Sequence, residues 1–186
     1  MTPTHLGPAE QLFSAEAVHA AIQRMAVAIN ADLEPLVPHR PVVVLTVLSG
    51  AIVIVGQLLP LLHFPLHLDC VQVSRYGDKT RGGDLLWRLT PRENLLDATV
   101  LIVDDILDEG VTLLALQDYC LSQGAAAVHT AVMVRKERER AREVPVDYVG
   151  LEVPDRFVFG FGLDARGLGR NAPGIFALIE EDAHHG

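Results

Sequence analysis

Cysteine is scarce in this chain: 186 residues contain two, Cys70 and Cys120, each inside an apolar pattern and neither at a metal or redox spacing. Both are expected to be reduced core thiols of a cytoplasmic protein. Positive charge is also short, with 15 Lys and Arg against 24 Asp and Glu, and the formal net charge of −9 argues against nucleic acid as the main partner. Local basic clusters can still bind small anions. No apolar run is left unbroken at membrane length: Val42 to Leu62 raises the question, but Ser49, Gly50, Gln57 and Pro60 divide it into a strand and a helix. No stretch reads as a targeting segment, so a soluble protein with no membrane partner is expected. A hydrophobic share of 49% with 21% charged residues excludes a disordered chain, and 186 residues suit one domain with a sizeable core.

What is present is organised around TVLIVDDILDEGVT, Thr99 to Thr112. Val100 to Val103 reads as a strand buried on both faces and ending in the adjacent carboxylates Asp104 and Asp105. Asp108, Glu109 and Gly110 make an acidic loop. Val111 and Thr112 then lead into a helix carrying Leu113, Leu116 and Cys120, closed by Gly124. In an open parallel sheet, ligands bind beyond the carboxyl ends of the strands, and a helix N-terminus offers unpaired N–H groups to an anion. A phosphate suits such a loop, but several acids repel a polyanion unless a sugar diol or a divalent cation intervenes. The combination points to a phosphorylated sugar.

On those residues, DDILDEGVT resembles the phosphoribosyl pyrophosphate motif of the type I phosphoribosyltransferases. The resemblance implies that Asp104 and Asp105 hold the ribose hydroxyls and that the loop Asp108, Glu109, Gly110, Val111 and Thr112 cradles the 5-phosphate. It also implies that Asp108 takes the proton from N7 of a purine. Glu109 departs from the common pattern, where serine or threonine donates to the phosphate; an ionised carboxylate cannot donate. Its carboxylate is expected to turn outward to a basic partner such as Arg75 or Lys79, leaving the phosphate to backbone N–H groups and the Thr112 hydroxyl.

An earlier strand, loop and helix repeat the plan: Val42 to Val47, then Leu48, Ser49 and Gly50, then Ala51, Ile52, Val55 and Leu58. This loop resembles the pyrophosphate loop of purine phosphoribosyltransferases, and it suits almost equally a plain helix start capped by Ser49. Many hypoxanthine-guanine members carry lysine at Ser49, so contacts here fall to backbone N–H groups. Further on, Leu66 to Val73 makes a strand ending at Ser74, Arg75 and Tyr76, and GDKTRGGD, Gly77 to Asp84, loops out before Leu85, Leu86 and Trp87 resume an extended pattern. By resemblance Arg75 and Tyr76 belong to a lid; read alone, the segment is equally a solvated hairpin. Near the start, Ser14 caps a helix with Val18, Ile22, Met25 and Ile29 at helical spacing, ending near Asn30.

Ala127 to Val134 reads as a buried strand ending in Arg135 and Lys136, followed by the charge run KERERAREV, which reads as a solvated helix or loop. Lys136 is the exception. It lies on the same sheet edge as Asp104 and Asp108, where an ammonium can donate to the O6 carbonyl of a 6-oxopurine. The stretch VDYVGLEVPDRFVFGFGLD resembles the base-recognition hood of hypoxanthine-guanine phosphoribosyltransferases. That implies a purine stacked on Phe157, read at its edge by the backbone of Val158 and flanked by Ile106. It implies magnesium held by Asp164 with Asp104 and Asp105, and pyrophosphate held by Arg170 with Ser49 and Gly50. Phe157, Phe159 and Phe161 alternate and would share one face of a regular strand, so at least one of them serves packing.

The chain is thus read as a single α/β domain, residues 1–186, with a central mostly parallel sheet, helices on both faces, a hood from the N-terminal segment and roughly residues 146–186, and a lid loop. The implied activity is transfer of 5-phosphoribosyl from phosphoribosyl pyrophosphate to N9 of hypoxanthine or guanine, with Mg2+ as cofactor, by a homo-oligomer, dimer or tetramer. A xanthine-preferring or other purine phosphoribosyltransferase, and a non-catalytic nucleotide-binding regulator on the same fold, are the alternatives.

Overall fold

The β-branched run Val42–Val47 forms strand β2 with all six residues buried, and in the computed structural model it lies at the middle of a six-stranded sheet. Residues 6–75, 85–140 and 143–179 are described. β2 pairs in parallel with β3 (His67–Arg75) on one side and β5 (Thr99–Leu107) on the other. β6 (Ala127–Glu137) and β7 (Tyr148–Pro154) extend the parallel array, while β4 (Leu85–Leu89) closes the opposite edge antiparallel to β3. Strands covered on both faces have no wet side to mark with polar residues, hence the unbroken apolar runs.

Helices α1 (Ala15–Leu33) and α2 (Ile52–Leu58) supply that cover on one face, where Ile22, Met25 and Ile54 pack with Val44, Leu101 and Met133. On the other face α3 (Val111–Ser122) sets Leu113, Leu116 and Cys120 with Val43, Ile102 and Val132. A second sheet joins β1 (Ala9–Phe13), β9 (Ile175–Leu178) and β8 (Val158–Phe159) in the antiparallel order β1-β9-β8. From β2 the chain winds through α2 to β3, and from β5 through α3 to β6 on the opposite side. The winding therefore reverses between β2 and β5, the place where an open α/β sheet forms a crevice beyond its strand ends.

Several elements differ from the sequence reading. β5 runs through its carboxylates to Leu107, because Asp104, Ile106 and Leu107 continue the register with Val132, Val134 and Arg135 of β6. α1 passes Asn30 and ends at Leu33, since the Asn30 amide turns sideways, donating to Leu61 O at 2.8 Å and accepting from His63 N at 2.9 Å. Ser14 does cap α1, accepting from Ala17 N at 3.3 Å. The Ser49 side chain caps nothing: α2 starts at Ile52, and its N-cap is Ala51, with no side-chain cap. Phe161 does not share a face with Phe157 and Phe159, because Gly160 at φ 103° and Phe161 at φ 51° bend the chain after Phe159. Cys120 is buried, with its thiol pushed up to about 11 by burial, whereas Cys70 is only half-buried. Tyr76, the segment Gly77 to Asp84 with Lys79, and His185 lie outside the described residues, and Arg75 enters only as backbone of β3. Among the described residues no helix is long and apolar enough to cross a membrane.

Candidate active site

Asp104 and Asp105 lie in the second half of β5, and the Asp105 amide donates to Asp104 Oδ1 at 2.9 Å. Burial, reinforced by the neighbouring Asp105 charge, pushes the Asp104 carboxyl well above the ordinary range. Burial raises Asp105 as well, against the pull of the Asp104 hydrogen bond and the Arg170 guanidinium. Two carboxyls that resist ionising side by side are stabilised by a cation or by hydroxyl donors between them.

A cavity of ≈ 230 Å³ opens from these acids over the start of α3, lined by Val47, the segment from Asp104 to Gly110, and Thr112. Gly110 is the N-cap of α3 at φ 78°, a left-handed conformation that favours glycine, and a side chain there would run into Val144. The first intrahelical bond goes from Leu114 N to Gly110 O at 3.0 Å. The amides of Val111, Thr112 and Leu113 therefore have no intrahelical acceptor, which is the donor set an anion needs. Glu109 is exposed at the rim. The Asp108 carboxylate first, and Asp155 and Glu109 after it, hold the Arg138 guanidinium above its ordinary value. Arg138 is thus a basic group that senses Glu109, while the expected partners fall outside what is described.

The Ser49–Gly50 loop lies against the Asp105 carboxylate. Its Leu48–Ser49 peptide is cis, and any side chain on Gly50 would collide with the Asp105 carboxylate. Arg170 reaches into the same corner, with Nη2 2.5 Å from Asp164 Oδ1, Nη1 3.8 Å from Asp105 Oδ2, and Nη1 donating to Gly162 O at 2.5 Å. Asp164 Oδ2 accepts from Gly167 N at 2.6 Å. Among the described residues no group of three or more His, Cys, Asp or Glu converges as a metal cage.

A second cavity, ≈ 140 Å³, shares Asp105, Ile106 and Asp108 with the first and adds Lys136, Phe157, Val158, Leu163 and Asp164. The Lys136 side chain is 11% exposed, with Nζ 3.1 Å from Asp108 Oδ2, 3.6 Å from Asp155 Oδ1 and 5.8 Å from the centre of the Phe157 ring. Phe157 is 64% exposed, unlike Phe159, which is fully buried and stacked on Phe176 at 5.5 Å. An apolar ring left open beside a cavity offers a stacking surface. Phe157 O accepts from Leu178 N at 2.8 Å, so in the antiparallel alternation the backbone groups of Val158 face the free edge of β8.

Three residues here escaped the sequence reading. The charge run is not simply solvated, for Arg138 Nη1 donates to Asp108 Oδ1 at 2.5 Å and Arg138 Nε lies 3.6 Å from Asp155. Arg140 donates to the carbonyls of Lys136 (2.6 Å), Asp108 (2.7 Å) and Leu107 (3.1 Å), tying the ends of β5 and β6 together. Burial would lift the Asp108 carboxyl, but the hydrogen bonds from Arg138 and Lys136 outweigh it and hold Asp108 below its ordinary value. The signal for all three was the high density of charge next to a strand end, which periodicity cannot turn into a direction.

A strand, loop and helix with uncapped amides at the switch point of a doubly wound sheet, sharing a wall with a cleft edged by an exposed aromatic ring, define a class: doubly wound α/β proteins with a small-ligand crevice beyond their strand ends. The chain belongs to the phosphoribosyl transferase family, whose domain matches residues 8–166. It is 33% identical over 144 residues to a hypoxanthine-guanine phosphoribosyltransferase of Aquifex aeolicus (77% of this chain, 80% of that one), and 29% identical over 176 residues to one of Dictyostelium discoideum (92% and 96%). The crystal structure of a hypoxanthine phosphoribosyltransferase from Staphylococcus aureus superposes with a TM-score of 0.87 at 26% identity, covering 96% of this chain and 95% of that one.

Proposed function

We propose that the protein is a purine salvage enzyme that transfers 5-phosphoribosyl from phosphoribosyl pyrophosphate to N9 of hypoxanthine or guanine, giving IMP or GMP and pyrophosphate. The observation that carries this reading is the wall of Asp105, Ile106 and Asp108 shared by the two cavities. A ribose 5-phosphate held over α3 brings its C1 beside a base held against Phe157.

In this reading the α3 amides and the Thr112 hydroxyl bind the 5-phosphate, and Asp104 and Asp105 accept from the ribose hydroxyls. The base stacks on Phe157, meets the Val158 backbone at its edge, and takes a hydrogen bond at O6 from Lys136. The small sheet serves as the hood that carries these groups. As the N9–C1 bond forms and the C1–pyrophosphate bond breaks, the N7 proton passes to Asp108, which Arg138 and Lys136 keep ionised. Arg170 and the backbone of the Ser49–Gly50 loop receive the leaving group. The unfavourable ionisation of Asp104 and Asp105 fits a divalent cation nearby, and a donor set of carboxylate oxygens suits magnesium, which keeps waters and substrate oxygens as its other ligands. Asp104, Asp105 and Asp164 would hold it, and it would neutralise charge building on pyrophosphate. A cytoplasmic setting, with both thiols reduced, goes with this reading.

A panel of hypoxanthine, guanine, xanthine and adenine with phosphoribosyl pyrophosphate and magnesium tests it by nucleotide and pyrophosphate yield. Turnover of the first two is expected. Turnover confined to xanthine or adenine would reassign the base, and none with any base would refute the transfer.

A further inference from the structure

We propose that Arg138 is a positioning residue for the purine: it shares the Asp108 and Asp155 carboxylates with Lys136, leaving the Lys136 ammonium free to move to O6 when a base enters. The inference rests on the proposed function and concerns a residue to which that reading gives no role of its own.

The geometry is a square of two cations and two carboxylates. Lys136 Nζ lies 3.1 Å from Asp108 and 3.6 Å from Asp155, and Arg138 spans the same two, Nη1 at 2.5 Å from Asp108 and Nε at 3.6 Å from Asp155. Lys136 comes from β6 and Arg138 from the segment just beyond it, Asp108 follows β5, and Asp155 follows β7. Among the described residues the other charged neighbours are Asp105 and Asp164, which line the same cavity, Arg140, which is engaged with the Asp108 backbone carbonyl at 2.7 Å, and Glu109 at the rim. With Arg138 in place each carboxylate keeps a partner after Lys136 leaves. Without it, Lys136 would be the only one of the two cations left against two acids, held by both, and its departure would strand them at a partly dry site. Asp108 and Asp155 are half-exposed, and a base entering the cavity takes water from them, so a carboxylate left without a cation there weakens base binding. Arginine suits the task better than a second lysine because a planar guanidinium can address two carboxylates at once from separate nitrogens.

Steady-state kinetics with hypoxanthine and phosphoribosyl pyrophosphate varied in turn test the assignment on Arg138→Ala, Arg138→Lys and the double variant Arg138→Ala with Asp155→Asn. Arg138→Ala is expected to raise KM for hypoxanthine about tenfold and KM for phosphoribosyl pyrophosphate less than about threefold, a split that a general loss of structure does not produce. Arg138→Lys restores the hypoxanthine KM to within about threefold of the parent. The double variant recovers in part, because the departure of Lys136 then strands one carboxylate and not two. An unchanged hypoxanthine KM, an equal rise in both KM values, or a double variant no better than Arg138→Ala overturns the proposal. Turnover by the parent enzyme is read separately. A parent without turnover defeats the function and this inference with it, whereas a working parent with an unmoved KM ratio defeats the role of Arg138 alone.

Discussion

The two strand–loop–helix units that flank the switch point share one plan and present opposite chemistry. After β2, the loop at Ser49 and Gly50 offers bare backbone, and the missing side chain of Gly50 is what lets the Asp105 carboxylate sit against it. After β5, the loop offers carboxylates in front of the uncapped amides of α3. Neither is a site alone. A peptide edge without charge cannot hold a ribose, and a group of acids without facing donors repels the phosphate it should receive. A third unit, β6 with the chain beyond it, supplies Lys136, Arg138 and Arg140, the cations that the acidic loop lacks.

The sharpest way to break this division of labour is to give the bare loop a side chain. Gly50→Ala places a methyl group in the Asp105 carboxylate, so it is expected to lower turnover about a hundredfold through misplacement of the ribose, and to lower Tm as well. Wild-type kcat with an unchanged melting curve would show that the two loops do not depend on close approach. Asp108→Asn is expected to cost roughly a hundredfold in turnover by removing the proton acceptor, with nucleotide binding largely kept. Single-turnover rates decide it, and a wild-type chemical step would remove Asp108 from the acceptor role. Lys136→Ala acts on the base side only. It is expected to weaken hypoxanthine binding by roughly thirtyfold and phosphoribosyl pyrophosphate binding far less, and to relax discrimination against adenine. Calorimetric titration of each ligand checks this, and equal losses would make Lys136 structural. The smallest pair of effects lies within the acidic loop: Thr112→Ala loses roughly 1 to 2 kcal/mol of IMP affinity, while Glu109→Ser keeps or improves it. A Glu109→Ser loss as large as that of Thr112→Ala would place the Glu109 carboxylate in the phosphate contact.

By itself the sequence determined a mostly parallel sheet, the places of its buried strands along the chain and the position of the acidic loop, because a strand covered on both faces must be apolar throughout and its end is marked by the first charges. Val42–Val47 emerges as read, and β6 and α3 lie within a few residues of their expected ends. The location of Asp104 to Thr112 at one edge follows from the same logic. What only the tertiary structure decided is which way each polar side chain points. Phe157, Phe159 and Phe161 look alike along the chain, yet Phe157 is an open ring beside the cavity, Phe159 stacks in the core on Phe176, and Phe161, past a bend at Gly160, sits at positive φ against His19. The run after Lys136 has the composition of a solvated segment. Arg138 and Arg140 turn inward because the strand ends of β5 and β6 leave carbonyls and the Asp108 carboxylate unpartnered there, and residues some thirty positions apart in sequence meet only once the sheet is assembled.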